Sequence, residues 1–378
     1  MKIVDRSAML RRCVVFVLTL CLAPVWMPPS RVAAAAILGR PDHRLETGTS
    51  PAPASAASTG VIRIGAAALN PDGSIGAEAG PPKKAAVAIL DTGIMNRPDL
   101  NVVGGYDCTG GDGTTTDDNG HGTHVAGIVA DKGFSGVIGV SPGTPLYAVR
   151  VFDSSGTGSA SNVICGLNWV ARNAASHNIK VVNMSLGGEG SDDGHCGRMD
   201  DDAFHAAVCR VTAAGVTVVA AAGNGGGDLA GSTPAAYPEV LTVTAMADFD
   251  GVPGGLTSKT PCDIHGRDDY AADFSDYAIP GSPEAGHTIG APGACITSTW
   301  NDGGTKTMSG TSMASPHVAG LVARCIDAGP CAGLSPARII AKLRADAASR
   351  PVNQGFVGDP NHPIDGRYYG YLANVAGY

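Results

Sequence analysis

Short apolar runs alternate along this chain with longer stretches of helical spacing. Ala85–Leu90, Leu146–Phe152, Lys180–Met184, Val216–Ala222 and Val240–Thr244 are largely apolar and often β-branched. They read as strands buried on both faces, as in a parallel sheet. Between them the pattern turns helical. Ser161 is placed to cap a helix on which Val163, Leu167 and Val170 share a face, and Asp201–Ala214 follows the same style. Ser335 and Pro336 read as an N-cap followed by proline at the first helical position. Strand and helix in alternation predict βαβ units in one doubly wound α/β domain over residues 61–378, with helices on both faces of a mostly parallel sheet. No internal repeat or second domain is visible.

The ends of the pattern change the picture. Lys2, Arg6, Arg11 and Arg12 precede the apolar run Cys13–Trp26, which is short for a bilayer and is followed by the small residues Ala33–Ala36. Residues 1–36 therefore read as a signal peptide, and 37–60, rich in Pro, Ala, Ser and Thr, as a flexible leader or short pro-segment. The expectation is a secreted protein with no membrane association once the leader is removed. Losing residues 1–36 takes away five basic and one acidic side chain, moving the formal charge from −8 to −12. Such a surface disfavours nucleic acid. Eight cysteines remain, an even number that suits disulfides in an exported chain. Cys196–Cys209 and Cys325–Cys331 are preferred because each closes a short loop; Cys108–Cys165 and Cys262–Cys295 are one arrangement of the rest.

Four polar segments interrupt this framework. Asp91-Thr92-Gly93 follows the first buried run directly, and in open parallel sheets functional groups collect beyond the carboxyl ends of strands. His121-Gly122-Thr123-His124-Val125-Ala126-Gly127 opens a small-residue helix. His124 three residues on hints at metal, but the glutamate of HExxH is absent. Asn224 ends another strand, where its amide could donate to a developing oxyanion. Gly310-Thr311-Ser312-Met313-Ala314-Ser315-Pro316-His317-Val318-Ala319-Gly320 puts a serine at a helix start, facing backbone N–H groups and the positive helix end. Each alone is ordinary: a turn, a cap, a surface histidine.

Together these motifs resemble the subtilisin-like serine proteases nearly residue for residue, in the order Asp, His, Ser that is itself the recorded order for subtilisin. The likeness runs from about residue 85 to 330 and includes Asn183-Met184-Ser185-Leu186-Gly187-Gly188 and Ala291-Pro292-Gly293. It implies a serine endopeptidase in which Ser312 attacks the scissile carbonyl, His121 is the base and Asp91 orients the imidazole. It further implies an oxyanion hole from Asn224 and the Ser312 N–H. Substrate would lie extended between Ser185, Leu186 and Gly187 on one side and Gly156, Thr157 and Gly158 on the other. Protein or peptide substrates, a monomeric enzyme and no cofactor for the chemistry follow. Gly225–Ala236, with the single charge Asp228, would wall the pocket before the cleaved bond, and its small, apolar character favours broad or apolar specificity.

Two departures stand against the family pattern. Relatives commonly carry a folded inhibitory pro-domain, for which the stretch before Ala85 is too short and proline-rich. Many also bind structural calcium, yet Asp131-Lys132-Gly133-Phe134-Ser135-Gly136 does not reproduce their asparagine-rich loop. The run Asp112, Asp117, Asp118 could hold a hard cation, so calcium stays possible but without assigned ligands. An esterase reading fails because Gly310–Ala314 lacks the second glycine of GxSxG and the serine comes last. An inactive relative kept for binding would not need all four side chains, and all four are present.

Overall fold

All five apolar runs become neighbouring strands of one sheet. The computed structural model describes residues 31–34, 59–69, 75–77 and 83–378, except 200, 258–259, 261, 263–265 and 376. Most of the expected leader, with Cys13 and Cys21, thus lies outside the described residues. Seven parallel strands build the sheet: β1 (Ala86–Asp91), β2 (Val102–Asp107), β3 (Leu146–Arg150), β4 (Ile179–Met184), β5 (Thr217–Ala221), β6 (Val240–Ala247) and β7 (Thr288–Ala294). Their spatial order is β2-β3-β1-β4-β5-β6-β7. Tyr270–Ala271 adds antiparallel to the end of β6. β2 and β7 did not stand out in the sequence: one carries Gly104 and Gly105, the other Pro292 and Gly293, and both residue types dilute a strand signal.

Helices cover both faces: α1 (His121–Ala130), α2 (Ala160–Asn173), α3 (Ala203–Ala213), α4 (Thr311–Ala328) and α5 (Pro336–Ala348). Successive residues of a strand point to opposite faces. Val87 and Ile89 accordingly join the core beneath α1, α4 and α5, while Ala86, Ala88 and Leu90 join the one beneath α2 and α3. The caps correct one expectation. Ser159, not Ser161, caps α2 by accepting from Asn162 N, and Asp202 caps α3. Ser335 occupies the N-cap of α5 as expected, but its side chain makes no capping hydrogen bond. Among the described residues no helix is long and apolar enough to cross a membrane.

Covalent and ionic ties fix the periphery. Disulfides join Cys108–Cys165, Cys196–Cys209, Cys262–Cys295 and Cys325–Cys331, the four expected pairs. At the N-terminal side, a helical turn over Thr59–Arg63 is already packed, although Thr59 and Gly60 fall within the expected flexible leader. Its Arg63 guanidinium is buried, with Nε and Nη2 on Asp269 Oδ1 at 3.0 and 2.7 Å, and further bonds to the Gln354 and Gly355 carbonyls. Breaking such a buried pair costs about 3–5 kcal/mol, so this turn belongs to the folded domain.

Candidate active site

The carboxyl ends of β1 and β5 and the first turns of α1 and α4 meet at one place. Asp91 is the last residue of β1 and is fully buried. The loop leading from it to α1 is held by Asp117, one of the three acids whose spacing suggests a hard-cation site. Its Oδ1 accepts from Thr92 Oγ1, Asn119 N and Gly120 N, and its Oδ2 from Thr123 N and Oγ1. That carboxylate is spent on joining strand end to helix start. Asp118 instead pairs with Arg150 at 3.0 Å, and Asp112 accepts from Thr114 N on an exposed loop.

His121, the first residue of α1 and only 3% exposed, places Nδ1 2.7 Å from Asp91 Oδ1. The same oxygen accepts from Thr92 N at 2.8 Å. Burial disfavours the imidazolium, but the charge and hydrogen bond of Asp91 outweigh it, and the His121 pKa is raised above its ordinary value. His121 Nε2 is buried and makes no hydrogen bond among the described residues. His124, on the same helix, serves the fold: its Nε2–H donates to the Lys306 and Ile296 carbonyls, and burial drives its pKa down to about 3.

Ser312 is the second residue of α4, and every residue from Thr311 to Cys325 is buried. Its Oγ donates to the Ser185 carbonyl at 3.2 Å rather than to His121. A proline explains the reciprocal bond. Pro316 has no N–H to offer the carbonyl four residues back, which is that of Ser312; the Ser185 hydroxyl donates to it at 2.7 Å instead. Ser185 is fixed in turn by Asn183 Nδ2 at 2.9 Å, and Asn183 Oδ1 accepts from Ser315. Asn183, the one glycosylation sequon, is thereby buried and committed.

Asn224 reaches the same helix start. Its Oδ1 accepts from Thr311 N at 2.9 Å and Thr311 Oγ1 at 3.0 Å, which fixes the end of the amide that carries oxygen. Asp276 holds the following loop, accepting from Gly225 N and Gly227 N. Burial pushes the Asp276 carboxyl up against the pull of those amides. It lies so close that a Cβ on Gly223, itself at φ +118°, would strike it. Asp228 is no wall charge: it is exposed and caps the turn Leu229–Gly231. Neither Thr311's clamp nor Asp276 was found from sequence, since each is a lone residue far from its partners.

A second, four-stranded sheet forms a groove beside these side chains. Its order is Ser232–Thr233, Leu186–Glu189, Arg31–Ala34, Thr157–Ser159. Leu186, Gly187, Thr157 and Gly158 lie on the two groove strands, joined by Ser159. Ser185 precedes its strand, and Gly156 is not in the groove strand at all but in the turn before it, at φ +75°. At Gly158 a Cβ would strike the Val151 carbonyl, so glycine is needed there for space.

Clusters of potential metal ligands lie elsewhere. Asp248, Asp250 and Asp268 gather their carboxylates, as do Asp192 and Asp193 around His205. Each already holds a positive group: Arg63 Nε is 3.3 Å from Asp248 Oδ2, and His205 sits between Asp193 at 3.2 Å and Glu239 at 2.9 Å. The residues do not favour a divalent cation at either place.

Comparison with known proteins shows the family and the fold. The subtilase family model matches residues 82–365. The chain is 41% identical to Proteinase T of Parengyodontium album over 62% of this chain and 68% of that protein. It is 40% identical to Subtilisin Savinase of Lederbergia lenta, over 63% and 74%, and 36% identical to a cuticle-degrading serine protease of Arthrobotrys oligospora, over 73% and 59%. Among solved structures, a cold-adapted subtilisin-like serine proteinase superposes with a TM-score of 0.63 at 31% identity, covering 85% of this chain and 99% of that one.

Proposed function

This chain belongs to the subtilase family of serine endopeptidases, and from that premise we propose that it hydrolyses peptide bonds with Ser312, His121 and Asp91 through an acyl-enzyme. The observation that carries the reading is the buried Asp91–His121 pair at 2.7 Å, set at the carboxyl end of the sheet beside the start of α4. The Ser312 hydroxyl turns from the Ser185 carbonyl toward His121 Nε2 as substrate enters. His121 takes its proton as Oγ attacks, then hands it to the departing amine. Asp91 holds the Nδ1–H tautomer and stabilises the imidazolium. The test is casein hydrolysis by purified protein with and without a serine-directed covalent inhibitor; hydrolysis that the inhibitor leaves untouched would rule the mechanism out.

Asn224 acts in the oxyanion hole with the Ser312 N–H. Thr311 holds the amide oxygen, so the nitrogen is the end that serves the reaction. Asn224→Ala is expected to lower kcat by about 10²–10³ with little change in KM, the size known for the corresponding donor in subtilisin. Steady-state kinetics on one peptide substrate decides it: a rise in KM alone would make Asn224 a substrate-positioning residue.

The pH dependence follows from the His121 pair. Only neutral imidazole can act as base, and Asp91 raises the folded pKa. Activity is therefore lost as pH falls through a value above the ordinary histidine range of about 6.5. The acid limb of kcat/KM, measured between pH 5 and 9, should lie there; a flat profile would remove His121 from the role.

The apolar, small-residue segment 225–236 supports broad or apolar specificity, all the more because Asp228 is engaged in capping. Export through residues 1–36 and action as a monomer on extracellular protein complete the reading. No metal enters the chemistry, and structural calcium has no assigned ligands.

A further inference from the structure

A hairpin of Ile296–Thr299 and Thr305–Met308 lies against the helix that carries His121. Ser298 Oγ donates to the His124 carbonyl at 2.8 Å, and Thr299 Oγ1 to Asp131 Oδ2 at 2.7 Å. At the tip of the hairpin, half-buried Trp300 closes on the start of α1. Gly120, the residue before His121, occupies the N-cap at φ +109° and makes no side-chain capping bond. A Cβ there would strike the Trp300 ring. The indole thus rests on the backbone that leads into His121, and glycine allows both the left-handed turn and the close approach. The tip is pinned from two sides. Arg97, paired with Asp99 at 2.8 Å, donates from Nη1 to the Trp300 carbonyl at 2.7 Å, and Asn301 Nδ2 donates to the Asp117 carbonyl at 3.2 Å. Lys306, exposed on the second strand, holds its Nζ 4.0 Å from the centroid of the same indole, a cation–π contact.

We infer that Trp300 and Lys306 are a positioning pair for His121: the indole fixes the start of α1 and so the place of the imidazole, and the ammonium sets a positive charge beside it. The inference rests on the peptidase reading above and adds to it two residues that act through His121. Position comes first. His121 opens its helix, so no earlier turn holds it, and the Gly120 backbone it hangs from is backed by the indole. The same hairpin continues through Gly310, whose N–H donates to the Gly293 carbonyl at 2.8 Å, into Ser312. One element thereby references base and nucleophile to each other, where a displacement of about 1 Å can cost 10²-fold in rate. Charge is the second part. Asp91 from the end of β1 and Asp117 from the following loop face the imidazole with negative charge, while Lys306 faces it from the hairpin. His124, one turn along α1, is neutral, and the helix start adds its own positive end. Burial and Lys306 disfavour the imidazolium, and the two acids favour it. Lys306 therefore limits the rise that the acids impose and keeps more of the base unprotonated near neutral pH.

The experiment follows hydrolysis of one peptide substrate by purified wild type, Trp300→Ala, Trp300→Phe, Lys306→Met and Lys306→Glu, with a thermal melt of each. Trp300→Ala should lower kcat and kcat/KM together by about 10- to 100-fold, with KM unchanged. Trp300→Phe, which returns an aromatic face to Gly120, should recover most of that loss. Lys306 is exposed, so its variants should melt with wild type. Removing its positive charge favours the imidazolium, so the acid limb of kcat/KM should move to higher pH. The expected shift is about 0.3 pH unit for Lys306→Met and about 0.6 for Lys306→Glu, both shrinking in about 1 M salt. Wild-type kcat in Trp300→Ala would overturn the inference, as would a rise in KM alone, which would make the hairpin a substrate-binding element. Equal losses in Trp300→Ala and Trp300→Phe with lowered melts would make the indole merely structural and overturn it too. Should Trp300→Ala fail to fold, the acid limb of Lys306→Glu decides: an upward shift supports the pair, and an unmoved limb overturns it. Each of these failures leaves the peptidase reading intact as long as wild type hydrolyses the substrate and a serine-directed inhibitor stops it. Wild type that does not would overturn both.

Discussion

Ser312→Ala is expected to lower kcat by about 10⁶ while leaving the fold in place, a magnitude established for subtilisin. The structure explains why the two effects should separate. The Ser312 hydroxyl makes one hydrogen bond, to the Ser185 carbonyl, and the Ser185 hydroxyl bonds to the Ser312 backbone, which alanine retains. Loss of the first leaves a buried acceptor short of one donor, worth about 1 kcal/mol. Alanine keeps the Cβ and the helical backbone of the buried first turn of α4. Residual hydrolysis should come from the donors around the oxyanion and from binding. Turnover of a peptide substrate per mole of purified protein and a thermal melt on the same sample decide the matter. Undiminished turnover in homogeneous Ser312→Ala would remove Ser312 as nucleophile, whereas a collapsed melt would mean the hydroxyl is structural.

Much of this site is legible in the sequence because its parts are contiguous. A buried strand that ends in aspartate, and two helices that open on histidine and serine, each leave a run of small residues dense enough to read. The parts that could not be read are those made of contacts between distant single residues. Asp276 is an unremarkable acid in sequence, yet it holds the loop after Asn224. In sequence Thr311 is only the neighbour of Ser312; that it clamps an amide 87 residues away is a fact of the fold. Pro316 is legible as part of a motif, but its consequence, a carbonyl released for Ser185, needs the geometry of both elements. The misplaced cap on α2 has a simpler origin: Ser159 and Ser161 both suit an N-cap, and hydrophobic periodicity locates a helix face better than a helix end. The groove strand at Arg31–Ala34 was invisible for a different reason. Strand addition is specified by backbone groups, which every sequence carries, so nothing in four small or flexible residues announces a partner.

Asp91→Asn is expected to lower kcat by about 10⁴ and, in the same enzyme, to move the acid limb of the residual activity to lower pH. The carboxylate does two things that an amide does poorly. Its Oδ1 accepts from both His121 Nδ1 and Thr92 N, so it fixes the tautomer that leaves Nε2 without a proton. Asparagine can keep its oxygen there only by burying an amide NH₂ where Asp91 Oδ2 now lies without a partner. Turned the other way, its NH₂ meets the Thr92 N–H and forces Nδ1 to accept, which puts the proton on Nε2. The second loss is charge. In the wild type, Asp91 offsets a burial penalty that is the largest single influence on the imidazole. Without that negative charge burial dominates, the imidazolium is disfavoured, and the His121 pKa falls. Neutral imidazole then persists to lower pH, yet it is the weaker base and often the wrong tautomer, so rate drops even where more of it is unprotonated. A structural role for Asp91 would lower the amount of active enzyme without moving the pH limb. A pH–rate profile of Asp91→Asn beside wild type, normalised to titrated active sites, therefore distinguishes the two; an unmoved limb would mean that Asp91 does not set the charge state of His121.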